Sequence, residues 1–176
     1  DIKYQIPNSV TKIANSAFYS CFKLTEIEFP PGLISIGQSA FFGCSSLESL
    51  RIPATVTSIE DNAFSSCPQI KRILVDDNNQ NYVSIDNVLF TKDLSVLILY
   101  SSGNSEISSY DVPSSVTKIG KSAFYGANEL AQITIPSSVT SIEDAAFNYC
   151  NKLTKIVIPS SVKSLGERAF YYCSSL

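Results

Sequence analysis

Apolar and polar residues alternate along this chain in a pattern that repeats every 23 residues. Each unit follows the template L-x-x-I-x-I-P-x-x-V-x-x-I-x-x-x-A-F-x-x-C-x-x, and the template prolines are Pro7, Pro30, Pro53, Pro113, Pro136 and Pro159. A unit this short cannot enclose its own apolar side chains, whereas stacked copies bury them against one another. The period therefore predicts a repeat solenoid in which equivalent positions lie above one another.

The first part of each unit predicts a short strand. Ile27 and Phe29 alternate with Glu26 and Glu28, which is the period-two pattern of a strand with one buried face. Pro30 follows and ends the strand, because proline has no N–H to donate to a neighbouring strand. Stacked strands about 4.8 Å apart would form a parallel sheet along one side of the molecule.

The Ala-Phe-x-x-Cys segment of each unit predicts the structure on the side of the solenoid opposite the sheet. Its apolar residues fall at i, i+1 and i+4, as in Ala40, Phe41 and Cys44. This spacing is compatible with one helical or 3₁₀ turn whose phenylalanine fills the core. The predicted fold is an α/β repeat solenoid, a curved rod with a parallel sheet on one face and short helical or 3₁₀ turns on the other.

The register breaks once, because the third and fourth template prolines are 60 residues apart. A polar cluster at 76–81 precedes two apolar runs, at 88–90 and 96–100, and this order is typical of a β-hairpin. The sequence thus predicts one enlarged repeat, at about 70–112, with an inserted hairpin. We expect the hairpin to pack back onto the rod through Leu89, Leu97 and Leu99.

These motifs resemble the BspA-like leucine-rich repeats of bacterial and protist surface proteins, over essentially the whole chain. The resemblance is carried by the I-P-x-S-V-T-x-I segments at 135–142 and 158–165 (with Lys163 in place of Thr), the A-F-x-x-C turns, and the stretch 82–90. The departures from the pattern are Ile70, Asp76 and Ala127. The resemblance implies a leucine-rich-repeat solenoid, a role in adhesion to host proteins or other cells, and a location at the cell surface or outside the cell.

Composition argues against most other function classes. The chain has no histidine, which removes the usual Ser-His-Asp and Cys-His nucleophilic arrangements. It has no Gly-rich phosphate loop and no C-x-x-C pair. Its 13 basic and 16 acidic residues are scattered, and it lacks an apolar run of about 20 residues. We therefore predict no enzymatic activity, cofactor, metal, nucleic-acid partner or membrane insertion.

Two groups of side-chain oxygens leave alternatives open, one enzymatic and one metal-binding. Glu26 and Glu28 could imitate the carboxylate pair of a glycosidase, although a solvated strand face explains them better. The stretch 76–79 (Asp-Asp-Asn-Asn) offers oxygen atoms that calcium accepts, but its spacing differs from an EF-hand loop. We favour a plain turn at 76–79.

All five cysteines occupy one template position: Cys21, Cys44, Cys67, Cys150 and Cys173. Thiols behave as small apolar groups in a core, and the alanine at the same position of another repeat indicates that no chemistry is required there. We expect a buried column of free thiols, because disulfide geometry is restrictive and the number is odd.

The outward-facing strand residues are the predicted partner-binding surface. They are Glu26, Glu28, Ser49, Arg51, Arg72, Leu74, Gln132, Thr134, Lys155 and Val157. Their identities vary from repeat to repeat while the core positions do not, and their charge changes from acidic to basic along the rod. The predicted partner is a protein, such as a host matrix or cell-surface protein; the alternative is a merely solvated sheet face.

A row of aromatic residues beside the Ala-Phe pairs is a second candidate. It comprises Tyr19, Phe42, Tyr125, Tyr149, Tyr171 and Tyr172. These rings either anchor an interface or, as we favour, stack on one another along the rod.

The alternative function is structural. We expect residues 1–176 to be a single domain and a fragment of a longer array, because the pattern is already under way at Asp1 and stops within a unit at Leu176. Neither end carries a polar cap, so the array could self-associate end to end.

Overall fold

The structure is a computed structural model that describes residues 2–103 and 107–176. Within these residues the chain forms a β-solenoid of about seven turns. Each turn contains a leading strand before the template proline and a trailing strand after it. The leading strands are β1 (Ile2–Gln5), β3 (Leu24–Glu28), β5 (Ser49–Ile52), β7 (Arg72–Val75), β11 (Ser109–Asp111), β13 (Gln132–Thr134) and β15 (Lys155–Ile156).

The trailing strands are short. They are β2 (Lys12–Ile13), β4 (Ser35–Ile36), β6 (Ser58–Ile59), β10 (Val96–Tyr100), β12 (Lys118–Ile119), β14 (Ser141–Ile142) and β16 (Ser164–Leu165). The remaining strands, β8 (Tyr82–Ile85) and β9 (Val88–Thr91), belong to the enlarged repeat.

Each ladder of strands is divided at the enlarged repeat. Leading strands form two parallel sheets, β1-β3-β5-β7 and β11-β13-β15. Trailing strands form the parallel sheet β2-β4-β6 and continue in a six-stranded sheet, β8-β9-β10-β12-β14-β16. The predicted parallel pairing of the leading strands is confirmed. The trailing strands also pair in parallel with one another, because the positions after the proline stack on their equivalents too.

The predicted helical or 3₁₀ turn is wrong, and the class is a β-solenoid because the described residues contain strands and turns but no helix. In the second repeat, Ser39 and Gly43 have φ angles of 53° and 74°, which a right-handed helix does not tolerate. The amides of Ser39, Phe41 and Gly43 donate to the carbonyls of the next repeat, while those between them close local turns. Hydrogen bonding to the neighbouring repeat therefore replaces hydrogen bonding within a helix. The described residues also include no helix capable of crossing a membrane.

Stacked phenylalanines form the centre of the core. Phe41 is fully buried, and its ring stacks on Phe18 and Phe64 with centroid distances of 4.9 and 5.4 Å. In the enlarged repeat Tyr100 takes this position, because its amide donates to Ala123 and its ring stacks on Phe124. The template did not reveal this substitution, since Tyr100 follows no alanine.

The cysteines form the expected column, and all five are free. Cys44, Cys67 and Cys150 are buried, whereas Cys21 and Cys173 in the outer repeats are partly exposed. Four thiols lie against the phenylalanine carbonyl 26 residues earlier, as in Cys67 Sγ to Phe41 O at 3.1 Å. These contacts give four of the five thiols a hydrogen-bond acceptor in the preceding repeat.

The predicted hairpin is present, because β9 and β10 pair antiparallel, and β8 adds a third antiparallel strand. Leu89, Leu97 and Leu99 are buried, so the hairpin packs back onto the rod as expected. Leu89 and Leu99 belong to the core of the first half, whereas Phe90 and Leu97 belong to that of the second half. The hairpin thus separates two cores. The single domain and the limits 70–112, which include residues outside the described part, stay predictions.

Asn79 redirects the chain into the insertion. It follows Val56 by 23 residues and is fully buried where the template has an apolar side chain. Its Nδ2 donates to the carbonyls of Pro53 and Val56, and its Oδ1 accepts from the amides of Asn81 and Tyr82. Both of its polar atoms are thereby satisfied without water.

Candidate functional site

Nine of the ten predicted partner-binding residues are exposed, and Ser49 is half-buried. The parallel register explains this arrangement, because it keeps one set of alternate positions outside and the other inside. Glu26 pairs with Ser49, which pairs with Arg72, so one row of outward residues crosses three strands. Arg51 and Leu74 form a second, parallel row.

The structure gathers the first six predicted residues in one groove of about 640 Å³, which we call the leading-strand groove. It is lined by Glu26, Glu28, Ser49, Arg51, Arg72 and Leu74. Pro31, Pro53 and Asp76 also line it, and the sequence analysis missed them. Pro53 and Asp76 occupy the template position just after the leading strand, which recurs in every repeat, whereas Pro31 follows the template proline Pro30.

Only some of the charged side chains in the leading-strand groove form ion pairs. Lys3 forms an ion pair of 2.6 Å with Glu26, and hydrogen bonding to this carboxylate raises the pKa of Lys3. Arg51 and Arg72 have no ion pair within the described residues. Leu74 lies beside them and is 36% exposed. Glu28 and Asp76 also form no ion pair within the described residues. The groove therefore presents two guanidinium groups, two carboxylates and an apolar side chain to solvent.

The other four predicted residues do not reach this groove. Gln132 and Lys155 face each other in register on β13 and β15, which belong to a different sheet. Val157 lies just beyond β15 and is 64% exposed. The insertion separates the two sheets, so the outward face consists of two surfaces rather than one.

The calcium alternative at 76–79 gains no geometric argument. The Oδ1 of Asn79 is committed to two amides, and Asp76 Oδ1 accepts from the amide and side chain of Asn78, which is the geometry of a turn. Groups of three or more acidic or cysteine side chains that could hold a metal are absent from the described residues. Hydrogen bonding to Cys173 and burial raise the pKa of the Cys150 thiol, which keeps it protonated.

The aromatic row stacks on itself, as the favoured interpretation predicted. Tyr19 stacks on Phe42 at 5.1 Å, and Tyr149 stacks on Tyr172 at 4.9 Å. Tyr125 bridges the gap between Phe42 and Tyr149. The rings therefore contact one another along the row, face to face in these two pairs and edge-on or tilted in the others, while Tyr19, Tyr171 and Tyr172 remain about half exposed.

Comparison with known proteins identifies relatives of this chain. The model of the BspA type leucine rich repeat region matches residues 2–102 and 99–176 in six copies. No curated protein matches the sequence.

Three solved structures are similar over almost the whole chain. The pneumococcal vaccine antigen PcpA is 27% identical, with a TM-score of 0.87, over 92% of this chain and 46% of its own. A leucine-rich repeat protein from Eubacterium ventriosum is 28% identical, with a TM-score of 0.87, over 99% and 52%. A leucine rich cell surface protein from Faecalibacterium prausnitzii is 30% identical, with a TM-score of 0.79, over 98% and 51%. The chain thus spans about half the length of these proteins.

Proposed function

The chain belongs to the BspA-type leucine-rich repeat family, and on that basis we propose that it is a non-enzymatic binding module of a cell-surface protein. It recognises a protein partner through the leading-strand groove. The observation that carries the proposal is the pair of exposed arginines, Arg51 and Arg72, beside the exposed Leu74. Arginine and apolar side chains in one concave patch are typical of interface anchors.

The two arginines of the groove favour a partner segment that places acidic side chains against them. A guanidinium group without an ion pair can bind a carboxylate through two parallel hydrogen bonds. Arg51 and Arg72 lie on neighbouring strands, diagonal to one another in the register, so two carboxylates of one segment can engage both. The location at the cell surface is supported by the similarity to a protein described as a leucine rich cell surface protein.

The test is binding to a panel of purified matrix and cell-surface proteins, measured by surface plasmon resonance. We expect the double variant Arg51→Glu/Arg72→Glu to lose at least about tenfold in affinity for any partner found, because hot-spot arginines each contribute about 2 kcal/mol. Higher salt should slow association with the wild type.

The matched control is Lys155→Glu, which makes the same kind of charge change on the other leading sheet. It should leave binding unchanged. The reverse result, in which Lys155→Glu abolishes binding and the arginine variant does not, would move the site to β13 and β15. A panel without any saturable binder would remove the support for recognition.

A structural role is the second candidate, and it would act through the apolar face of the first repeat. This face has a concavity of about 410 Å³ lined by Ile2, Tyr4, Phe18, Cys21, Phe22, Lys23 and Leu24. Phe22 is 61% exposed. End-to-end assembly predicts that mass increases with concentration in light scattering and that Phe22→Glu prevents the increase, whereas the arginine variant has no effect on it.

A further inference from the structure

The enlarged repeat creates a crevice of about 220 Å³ between β6 and β10. β6 pairs with β4, whereas β10 pairs with β9 and β12, so these two successive trailing strands do not pair with each other. Residues 59–65 form one wall and residues 118–122 contribute to the other. The crevice lies on the trailing strands and is independent of the leading-strand groove.

Two contacts hold the walls of the crevice at a fixed separation. Lys121 Nζ lies 3.0 Å from Asp61 Oδ2, and Ser122 Oγ donates a hydrogen bond of 2.8 Å to Asn62 Oδ1. Both contacts join the third repeat to the first repeat after the insertion. The crevice is therefore formed before any ligand enters, which lowers the entropic cost of binding.

Tyr82 supplies a hydrogen-bond donor inside the crevice. Its side chain is 8% exposed. Its hydroxyl oxygen accepts a hydrogen bond of 2.8 Å from the amide of Ile59. In a regular repeat this amide would donate to a backbone carbonyl of the next trailing strand. Within the described residues, the hydrogen of this hydroxyl has no acceptor. Burial raises the pKa of Tyr82, so the hydroxyl stays protonated. The hydroxyl of Tyr82 can therefore donate its hydrogen to an oxygen atom in the crevice.

The open edge of β6 supplies acceptors. In the preceding repeat the carbonyl of Ile36 accepts from the amide of Glu60, but the equivalent carbonyl of Ile59 has no donor among the described residues. Glu60 also lines the crevice, and one of its oxygens, Oε2, accepts from the amide of Gln38 at 3.1 Å. Its other oxygen, Oε1, forms no hydrogen bond within the described residues.

The charge of the crevice favours a cation. Its two lysines are already paired, because Lys118 lies 3.3 Å from Glu143, and Lys121 contacts both Asp61 and Asp144. The carboxylate of Glu60 forms no ion pair in the described part of the chain. This surplus negative charge lies beside the free carbonyl of Ile59.

We propose that the crevice binds a small primary amine that carries a hydroxyl group, either an amino alcohol or an amino sugar. Glu60 and the carbonyl of Ile59 hold the ammonium group, and the hydroxyl oxygen of the ligand accepts the hydrogen of Tyr82. A volume of 220 Å³ holds about seven waters at about 30 Å³ each, which is enough for a ligand of this size.

Four probes separate the contributions of the ammonium group, the hydroxyl group and ligand size in an NMR titration of the whole chain. Ethanolamine has both groups, ethylamine lacks the hydroxyl, N-acetylethanolamine lacks the charge, and glucosamine is the larger amino sugar. We expect ethanolamine to bind at least about tenfold more tightly than either deficient analogue, since each loses a buried hydrogen bond. Tighter binding of glucosamine than of ethanolamine would identify an amino sugar, and weaker binding an amino alcohol.

Two variants tie the binding to this crevice. Glu60→Gln should reduce ethanolamine affinity about tenfold or more while retaining a hydrogen-bonding side chain of similar size. Tyr82→Phe should abolish the preference for ethanolamine over ethylamine. Glu26→Gln, on the leading-strand groove, is the control and should change nothing. The proposal is overturned if no probe binds saturably, if N-acetylethanolamine binds as well as ethanolamine, or if neither crevice variant alters binding to a folded protein.

Discussion

Individual residues carry unusual backbone conformations throughout this solenoid. The residue before each template alanine has a positive φ, as Ser16, Ser39 and Asn62 show, and so does the residue before each template cysteine. For an L-amino acid the left-handed region costs roughly 1–2 kcal/mol. Serine, asparagine and glycine lessen this cost at most of the sites, but some repeats place larger or apolar residues there.

Ala145 is the site where this cost is easiest to measure. Its φ is 54°, and its methyl group offers no hydrogen bond in compensation. We expect Ala145→Gly to stabilise the protein by about 0.5–1 kcal/mol. The backbone strain that the variant relieves is larger than the cost of the greater conformational entropy that glycine has in the unfolded chain. Urea denaturation measures the change. Ala146→Gly, at the neighbouring buried position, is the control and should destabilise by about 1 kcal/mol.

Phe41 is the residue whose side chain contributes most clearly to the core. It is fully buried between two stacked rings. Phe41→Ala should lower the free energy of unfolding by about 3–5 kcal/mol, the usual range for a buried phenylalanine. A loss below about 1 kcal/mol in the same denaturation experiment would show that the stacked column contributes little.

At the scale of elements, the turn between β9 and β10 depends on one carboxylate. Asp93 Oδ1 accepts from the hydroxyl of Thr91 and from the amide and hydroxyl of Ser95. These hydrogen bonds, with that from Thr91 the largest contribution, lower the pKa of Asp93 from 3.8 to about 2. Its contribution to stability is complete above pH 3.8 and is lost as the pH falls to about 2.

The prediction for this turn concerns its pH dependence. At pH 6 we expect Asp93→Asn to speed hydrogen exchange of the Ser95 amide, because the variant loses a charged acceptor. The difference between variant and wild type should shrink as the pH falls through about 2 and disappear at about pH 1, where Asp93 is mostly protonated. Asp77→Asn, at another exposed aspartate of the insertion, serves as the control. A difference that persists unchanged at about pH 1 would contradict the assigned hydrogen bonds.

At the scale of the whole molecule, the hairpin joins two cores. Adjacent residues of β9 point to opposite halves, since Leu89 packs in the first core and Phe90 in the second. In a linear array each repeat is stabilised mainly by its neighbours, so a local defect weakens the side that it faces. The two halves therefore depend on different residues of the same strand.

This arrangement predicts a contrast between two substitutions. Leu89→Ala should lower the exchange protection of first-half amides such as Leu50, and Phe90→Ala that of second-half amides such as Ile142. Each should cost about 2–5 kcal/mol, because both side chains are fully buried. Hydrogen exchange with mass spectrometry distinguishes the halves. Equal loss in both halves for both variants would mean that the rod has one continuous core.

Much of the architecture follows from the sequence alone. The 23-residue period identifies the stacked positions, the buried phenylalanine and cysteine columns, and the inserted hairpin, because each position meets its own equivalent in the next repeat. The period also identifies the outward residues of the leading strands. These features depend on spacing and polarity, which are local properties of the chain.

Other features were decided only by the tertiary structure. The turns at Ser39 and Gly43 are left-handed because their amides bond to the next repeat, and no property of the Ala-Phe segment by itself specifies that partner. The division of the outward face and the crevice beside Tyr82 both arise where the insertion separates strands. The gathering of Arg51 and Arg72 in one groove depends on the pairing of β5 with β7. The sequence determines which residues stack, but contacts between distant segments decide how the backbone groups are paired.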